Sequence, residues 1–130
     1  MMESMSSSKR QHIHSILEQI ENAIAQLIEW NSSIHSADDY YNSSQGMQVL
    51  AASCMLIEAI GESVHQIDKL TDKQFLVLRP EIPWEDVVGI RNHIAHGYFD
   101  IDGEIVFSTI QDDFPSLAEA IHFLKGLLTK

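Results

Sequence analysis

Cysteine, basic residues and long apolar runs are what this chain has least of. A single cysteine, Cys54, in 130 residues leaves no partner for an internal disulfide, so neither a stapled fold nor an oxidising compartment is implied. Lysine and arginine number 8 against 19 aspartates and glutamates, a formal charge of −11. Such a chain does not draw nucleic acid by its overall field, so contact with nucleic acid requires a local basic site, for example one assembled where subunits meet. The same acidity suits pairing with a basic partner protein. No apolar run near the start reads as a signal peptide, and none approaches the length that crosses a bilayer. The expected location is therefore the cytoplasm, with no membrane partner.

What is present is a globular composition, 45% hydrophobic and 21% charged, in a length that suits one domain with a sizeable core. Residues 1–8, rich in Ser and Met, are expected to form a disordered tip, and 9–130 a single helical domain. No internal repeat or linker divides it. Ile13, Ile16, Leu17, Ile20, Ile24, Leu27 and Ile28 recur at three or four residues and predict an amphipathic helix that fades over 31–36. Met47, Leu50, Ala51, Cys54, Ile57, Gly61 and Val64 predict a second. Its small residue, Gly61, suits close helix pairing within the domain or across a dimer. Residues 71–78 read as a short helix opened by Thr71 and closed before Pro80.

Pro83, followed by Glu85 and Asp86, reads as the first position of a third long helix that loosens at Gly97. The segment 102–109 is ambiguous, since Ile105, Val106 and Phe107 favour a strand while Asp102 could cap a helix. Pro115 and the box "SLAE" start a last helix with Leu117, Ile121, Leu124 and Leu128 on its apolar side. The sum is an all-α, up-and-down bundle of four to five helices.

The stretch "GIRNHIAHGYFD", residues 89–100, gathers an arginine, two histidines and a tyrosine. With Arg91 at zero on a wheel of about 100° per residue, Asn92 falls near 100° and His96 near 140°, with Tyr98 close to Arg91 if the helix persists. Val87, Ile90, Ile94 and Gly97 take the opposite arc. A permanently charged guanidinium beside an imidazole suits phosphodiester cleavage without a metal. A base activates a ribose 2′-hydroxyl, an acid protonates the leaving oxygen, and a cation stabilises the phosphorane. One histidine does not easily fill both proton-transfer roles, and a two-fold dimer would supply a second. Spacing alone admits another explanation, in which Arg91 pairs with Glu85, Asp86 or Glu62 and His96 stabilises a helix C-terminus. His93 and His96 lack a third ligand at convincing spacing, so no metal site and no cofactor are expected. Cys54 reads as core and Trp84 as a packing anchor.

Three stretches, "IGESVHQ", "RPEIPWEDVVGIRNHIAHGYFDID" and "DDFPSL", together resemble the HepT-like branch of the HEPN superfamily, over roughly residues 47–117. The resemblance implies a HEPN-like, homodimeric helical bundle and resolves the segment after Asp102 as helix. It implies a ribonuclease signature at the dimer cleft, falling on Arg91, Asn92, His96 and Tyr98, with Arg91 and His96 catalytic and Asn92 supporting. Glu62 is a candidate to orient Arg91 or a histidine. The resemblance further implies the toxin of a two-gene toxin–antitoxin module. Its partner would be an MNT-type nucleotidyltransferase antitoxin that silences it by transferring AMP to Tyr98, and its substrate RNA. The alternative is a helical dimer that binds a nucleotidyltransferase or nucleotide and cleaves nothing. The scarcity of basic residues outside the signature favours it, Lys69, Lys73 and Arg79 being the only nearby cations for an RNA-holding patch.

Overall fold

The three-and-four spacing from Ile13 onward becomes helix α1, Ser7–Trp30. Here, in a computed structural model, residues 4–94 and 100–129 are described, with the side chain of Arg91 outside that description. Helix α1 starts ahead of its apolar stripe because the Ser6 hydroxyl accepts the Lys9 N–H at 3.1 Å and caps it. Ile13, Leu17, Ile20, Ile24 and Leu27 are buried, whereas Ile28, expected on the same stripe, is 49% exposed.

Helix α2, Ser44–Thr71, is capped by Ser43, whose Oγ accepts from Gly46 N at 2.9 Å. Leu50, Cys54, Ile57, Ile60, Val64 and Ile67 bury one side of it, while Met47 is exposed. Its length and mean hydropathy of 1.3 over an 18-residue window meet the criterion for crossing a membrane, contrary to the sequence expectation. Its buried stripe faces the bundle, while Met47 and Met55 are exposed together with Gln48, Glu62 and Gln66. Each fully buried aliphatic side chain contributes roughly 1.5–3 kcal/mol of transfer free energy.

Between α1 and α2 the chain turns through a short 3₁₀ segment, Ala37–Tyr40. The turn is fixed by a buried polar knot. Asn31 donates from Nδ2 to Leu27 O at 2.8 Å and to Ser53 Oγ at 2.9 Å, and its Oδ1 accepts the Tyr40 hydroxyl at 2.6 Å. Burial, with the neighbouring Tyr41, pushes the Tyr40 phenol up to about 12, so it remains a donor.

Residues 71–78 are not the expected short helix. Thr71 closes α2, its hydroxyl donating to Ile67 O at 2.8 Å. Asp72 and Lys73 then take positive φ values of 54° and 60°, the left-handed turn that ends a helix. A 3₁₀ turn, Leu76–Leu78, follows and buries Phe75 and Leu76.

The third long helix is also interrupted, into α3, Trp84–Gly89, and α4, Arg91–Ile94. Helix α5, Gly103–Ser108, is capped by Asp102, whose Oδ1 accepts from Ile105 N at 3.2 Å. The ambiguous segment is therefore helical, as the resemblance implied. A π-helical turn, Thr109–Asp113, leads from it into α6, Phe114–Leu128. Pro115 accounts for the turn: it has no N–H to give Gln111, and Phe114 N instead donates to Thr109 O, five residues back. The "SLAE" box does not cap α6, because Asp113 holds the cap position and Glu119 pairs with Arg79.

No strand occurs among the described residues. Helix α1 packs against α2 and α6, and α2 against α3. The α1–α6 seam is tied by Glu21, which accepts from Lys125 Nζ at 2.5 Å and lies 3.0 Å from His122 Nδ1.

Candidate functional site

Helix α3 mounts the signature on the bundle, and its start is fixed from both sides of Pro83. The Pro83 carbonyl accepts from Asp86 N at 2.9 Å and Val87 N at 3.1 Å, opening the helix one residue later than the sequence suggests. Trp84, only 8% exposed, donates its indole N–H to Arg79 O at 3.0 Å, the anchoring role expected of it. Glu85 and Asp86 lie in the first turn, where carboxylates favour the positive end of the helix.

Gly61 sets how closely α3 approaches α2. A Cβ there would stand 3.0 Å from Val87 O and 3.3 Å from Val88 O, so only glycine admits these carbonyls without displacement. Of its two expected roles, close pairing within the domain is the one observed. Glu62, the next residue, is exposed on α2 beside this contact.

Helix α3 then breaks at Gly89 and Ile90. The Ile90 carbonyl begins again, accepting from His93 N at 2.9 Å and Ile94 N at 3.2 Å. The backbone of Arg91 opens α4, Asn92 and His93 are exposed, and Ile94 is fully buried as the inward anchor. Asn92 is thus exposed and Ile94 buried, as the wheel places these two positions. His96 and Tyr98, with the arginine's side chain, lie outside the described residues, so the four signature side chains are not placed relative to one another.

What is placed is the frame around them. Asp102 N donates to Ile94 O at 2.7 Å, joining the backbone on either side of the signature's second half. Tyr41 secures the exit, its hydroxyl accepting from Gly103 N at 3.1 Å and donating to Ile101 O at 3.3 Å. The phenol fills the space a Cβ on Gly103 would need, 2.6 Å from its oxygen. Sequence reasoning missed Tyr41, which sits 60 residues before Ile101 in a segment without periodicity.

Charge around the site is arranged differently from the sequence expectation. Arg79, a candidate for holding RNA, donates from Nε to Glu81 at 2.6 Å and from Nη2 to Glu119 at 2.5 Å. Its Cζ lies 5.0 Å from the Phe123 ring centroid, and its side chain is 16% exposed. The Glu81 and Glu119 hydrogen bonds raise the guanidinium pKa further, and Arg79 is committed to the protein itself. No group of three or more His, Cys, Asp or Glu side chains able to hold a metal occurs among the described residues. Cys54 is buried, and burial aided by Glu58 pushes its thiol up to about 11, which removes it as a nucleophile.

Comparison with known proteins places these features. The family model described as "Ribonuclease HepT-like" matches residues 13–124. A protein of Thermococcus cleftensis named "Probable ribonuclease HepT" is 32% identical over 109 residues, covering 84% of this chain and 91% of the relative. "Putative RNase MJ1380" of Methanocaldococcus jannaschii is 26% identical over 117 residues, covering 90% and 99%. No solved structure matches the chain at a significant level. The match extends from near the start of α1 nearly to the end of α6 and takes in the whole Arg91 to Tyr98 signature, so the chain belongs to the HepT-like family.

Proposed function

We propose that this protein is a metal-independent endoribonuclease, with Arg91 and His96 as its catalytic residues at the cleft of a homodimer. The observation that supports it most is the complete signature Arg91, Asn92, His96 and Tyr98 within a chain of the HepT-like family. The relatives named as ribonucleases point to the same substrate class, RNA. In this reading a His96 imidazole takes the proton of a ribose 2′-hydroxyl, and its copy from the second subunit protonates the leaving 5′-oxygen. Arg91 stabilises the crowded phosphorane with its fork of donors. Asn92 supports the phosphate, and Glu62 orients the arginine or a histidine.

The protein then acts in the cytoplasm as the toxin of a toxin–antitoxin pair with an MNT-type nucleotidyltransferase. Transfer of AMP to Tyr98 would place a phosphate's negative charge beside Arg91 and fill the space a substrate phosphate needs. Purified protein is expected to cut RNA in the presence of EDTA, and His96→Ala to abolish cutting while circular dichroism is unchanged. A variant that cuts as well as the parent removes His96 from the mechanism. Intact mass after co-expression with the nucleotidyltransferase is expected to rise by one adenylyl group, and Tyr98→Phe to prevent the rise.

A second reading has one observation in its favour. Arg79 and Lys125 are both engaged by carboxylates, which leaves few cations to hold RNA along the bundle. Under that reading the protein is a helical dimer that binds a nucleotidyltransferase or nucleotide without cleaving. The EDTA-resistant cleavage assay separates the two.

A further inference from the structure

Beside α3, a cavity of about 370 Å³ opens between α2, the start of α3 and the π turn. Its floor is apolar, from Ile57, Ile60, Val87 and Phe114, and its rim carries Glu81, Asp86, Asp112 and Asp113. Among the described residues no lysine, arginine or histidine lines it. Two stretches singled out in the sequence meet there, one through Ile82 and Asp86, ahead of the signature residues it goes on to carry, the other through Asp112, Asp113 and Phe114.

Arg79 holds Glu81. Asp86, Asp112 and Asp113 have no hydrogen-bonded or ion-paired side-chain partner among the described residues. The π turn delivers Asp112 and Asp113 together to one edge of the cavity. Partial burial and the charge of Asp112 hold the Asp113 carboxyl above its usual range, so a cation arriving there relieves a cost already present. An apolar floor under an acidic mouth complements one shape of side chain, an aliphatic stem ending in a cation. Arginine fits better than lysine, since its guanidinium is more weakly hydrated and engages two carboxylates through one planar fork. The volume falls within the roughly 300–1,000 Å³ of small-ligand sites and leaves room for an apolar neighbour of the arginine.

We propose that this cavity docks an arginine of a partner protein, with its aliphatic stem on Val87 and Phe114 and its guanidinium between Asp86 and Asp113. Charge complementarity carries the choice of a basic partner: three uncompensated carboxylates at the mouth of a chain whose formal charge is −11. The inference is independent of the nuclease reading, because it concerns binding alone. Engagement at Val87 and Ile90 would also bear directly on α3, one turn before Arg91.

The test is a two-dimensional NMR titration of the whole protein with the peptide acetyl-Leu-Arg-Leu-amide and its isosteric citrulline counterpart. Saturable shifts at the amides of Ile57, Val87 and Phe114 are expected with the arginine peptide. Binding should weaken by about fivefold or more with citrulline and with Asp113→Asn, since each removes one member of a charge-assisted pair. Asp86→Asn should weaken binding by a similar factor, which guards against a loss peculiar to the π turn. Equal binding of the citrulline peptide, no saturation, or shifts mapping to another surface would overturn the proposal. Spermidine binding more tightly than the peptide would overturn it in favour of a free polyamine. Shifts of the same amides on concentrating the protein alone would overturn it in favour of a second copy.

Discussion

Replacing Gly61 by alanine tests how the signature helix is mounted. The added Cβ would lie 3.0 Å from Val87 O and 3.3 Å from Val88 O, so α3 must move by a few tenths of an ångström or the contact must strain. Overpacking of this kind costs about 1–3 kcal/mol, while replacing a mid-helix glycine by alanine returns close to 1 kcal/mol. The net expectation is a loss of about 0–2 kcal/mol, which alone would be hard to interpret. Gly126 in α6 provides the control, because a Cβ there meets nothing within 4 Å. Gly126→Ala should therefore stabilise by about 0.5–1 kcal/mol. The difference between the two variants isolates the steric cost, about 1–3 kcal/mol, since both share the gain in helix propensity. Urea unfolding followed by circular dichroism measures it, with m unchanged in both. In the nuclease reading Gly61→Ala should also lower RNA cleavage, because α3 leads directly into Arg91, whereas Gly126→Ala should not. Equal stabilisation by the two substitutions would refute the close α2–α3 contact.

Three further outcomes follow from particular hydrogen bonds. Tyr40→Phe leaves Asn31 Oδ1 buried without its donor and should cost about 1–3 kcal/mol by urea unfolding. Tyr41→Phe removes both bonds that hold Ile101 and Gly103. It should speed amide hydrogen exchange at Gly103 while changing global stability by less than about 1 kcal/mol, as the ring is half exposed. Lys125 and His122 hold the Glu21 carboxyl below its usual range, Lys125 foremost. The contribution of Glu21 is complete above its unfolded value of 4.5 and is lost as pH falls through the lowered native value. Glu21→Gln should accordingly flatten the acid limb of the stability profile below about pH 4.5, read from thermal midpoints.

The sequence carried the long helices well and their junctions poorly, for physical reasons visible at single residues. Periodic burial of Ile13 through Leu27 and Leu50 through Val64 is a property of local spacing, so α1 and α2 were legible. Thr71 was misread because a threonine hydroxyl serves either as an N-cap or, as here, as a donor to the carbonyl four residues back. No glycine marks the end of α2; Asp72 and Lys73 take up the positive φ instead. The interruption at Gly89 and Ile90 was hidden within a continuous amphipathic pattern. The commitment of Arg79 to Glu119 joins residues 40 apart, and the Tyr41 contacts join residues 60 or more apart; one-dimensional spacing holds no signal for either. Of the candidate site, the exposed Asn92 and the buried Ile94 of α4 were legible in the sequence. Gly61, Ile94 and Asp102 of its frame were legible as a small packing residue, an apolar position and a candidate cap, while their partners across the bundle, and Tyr41 altogether, required the fold.

The most direct test of the central claim is analysis of cut ends. A defined RNA oligonucleotide, incubated with the purified protein in EDTA, is examined by mass spectrometry beside the Arg91→Ala and His96→Ala variants. Attack by a 2′-hydroxyl under acid–base catalysis predicts 2′,3′-cyclic phosphate and 5′-hydroxyl ends from the parent and intact RNA from both variants. Ends carrying a 5′-phosphate, or the same cuts made by the alanine variants, would contradict the account.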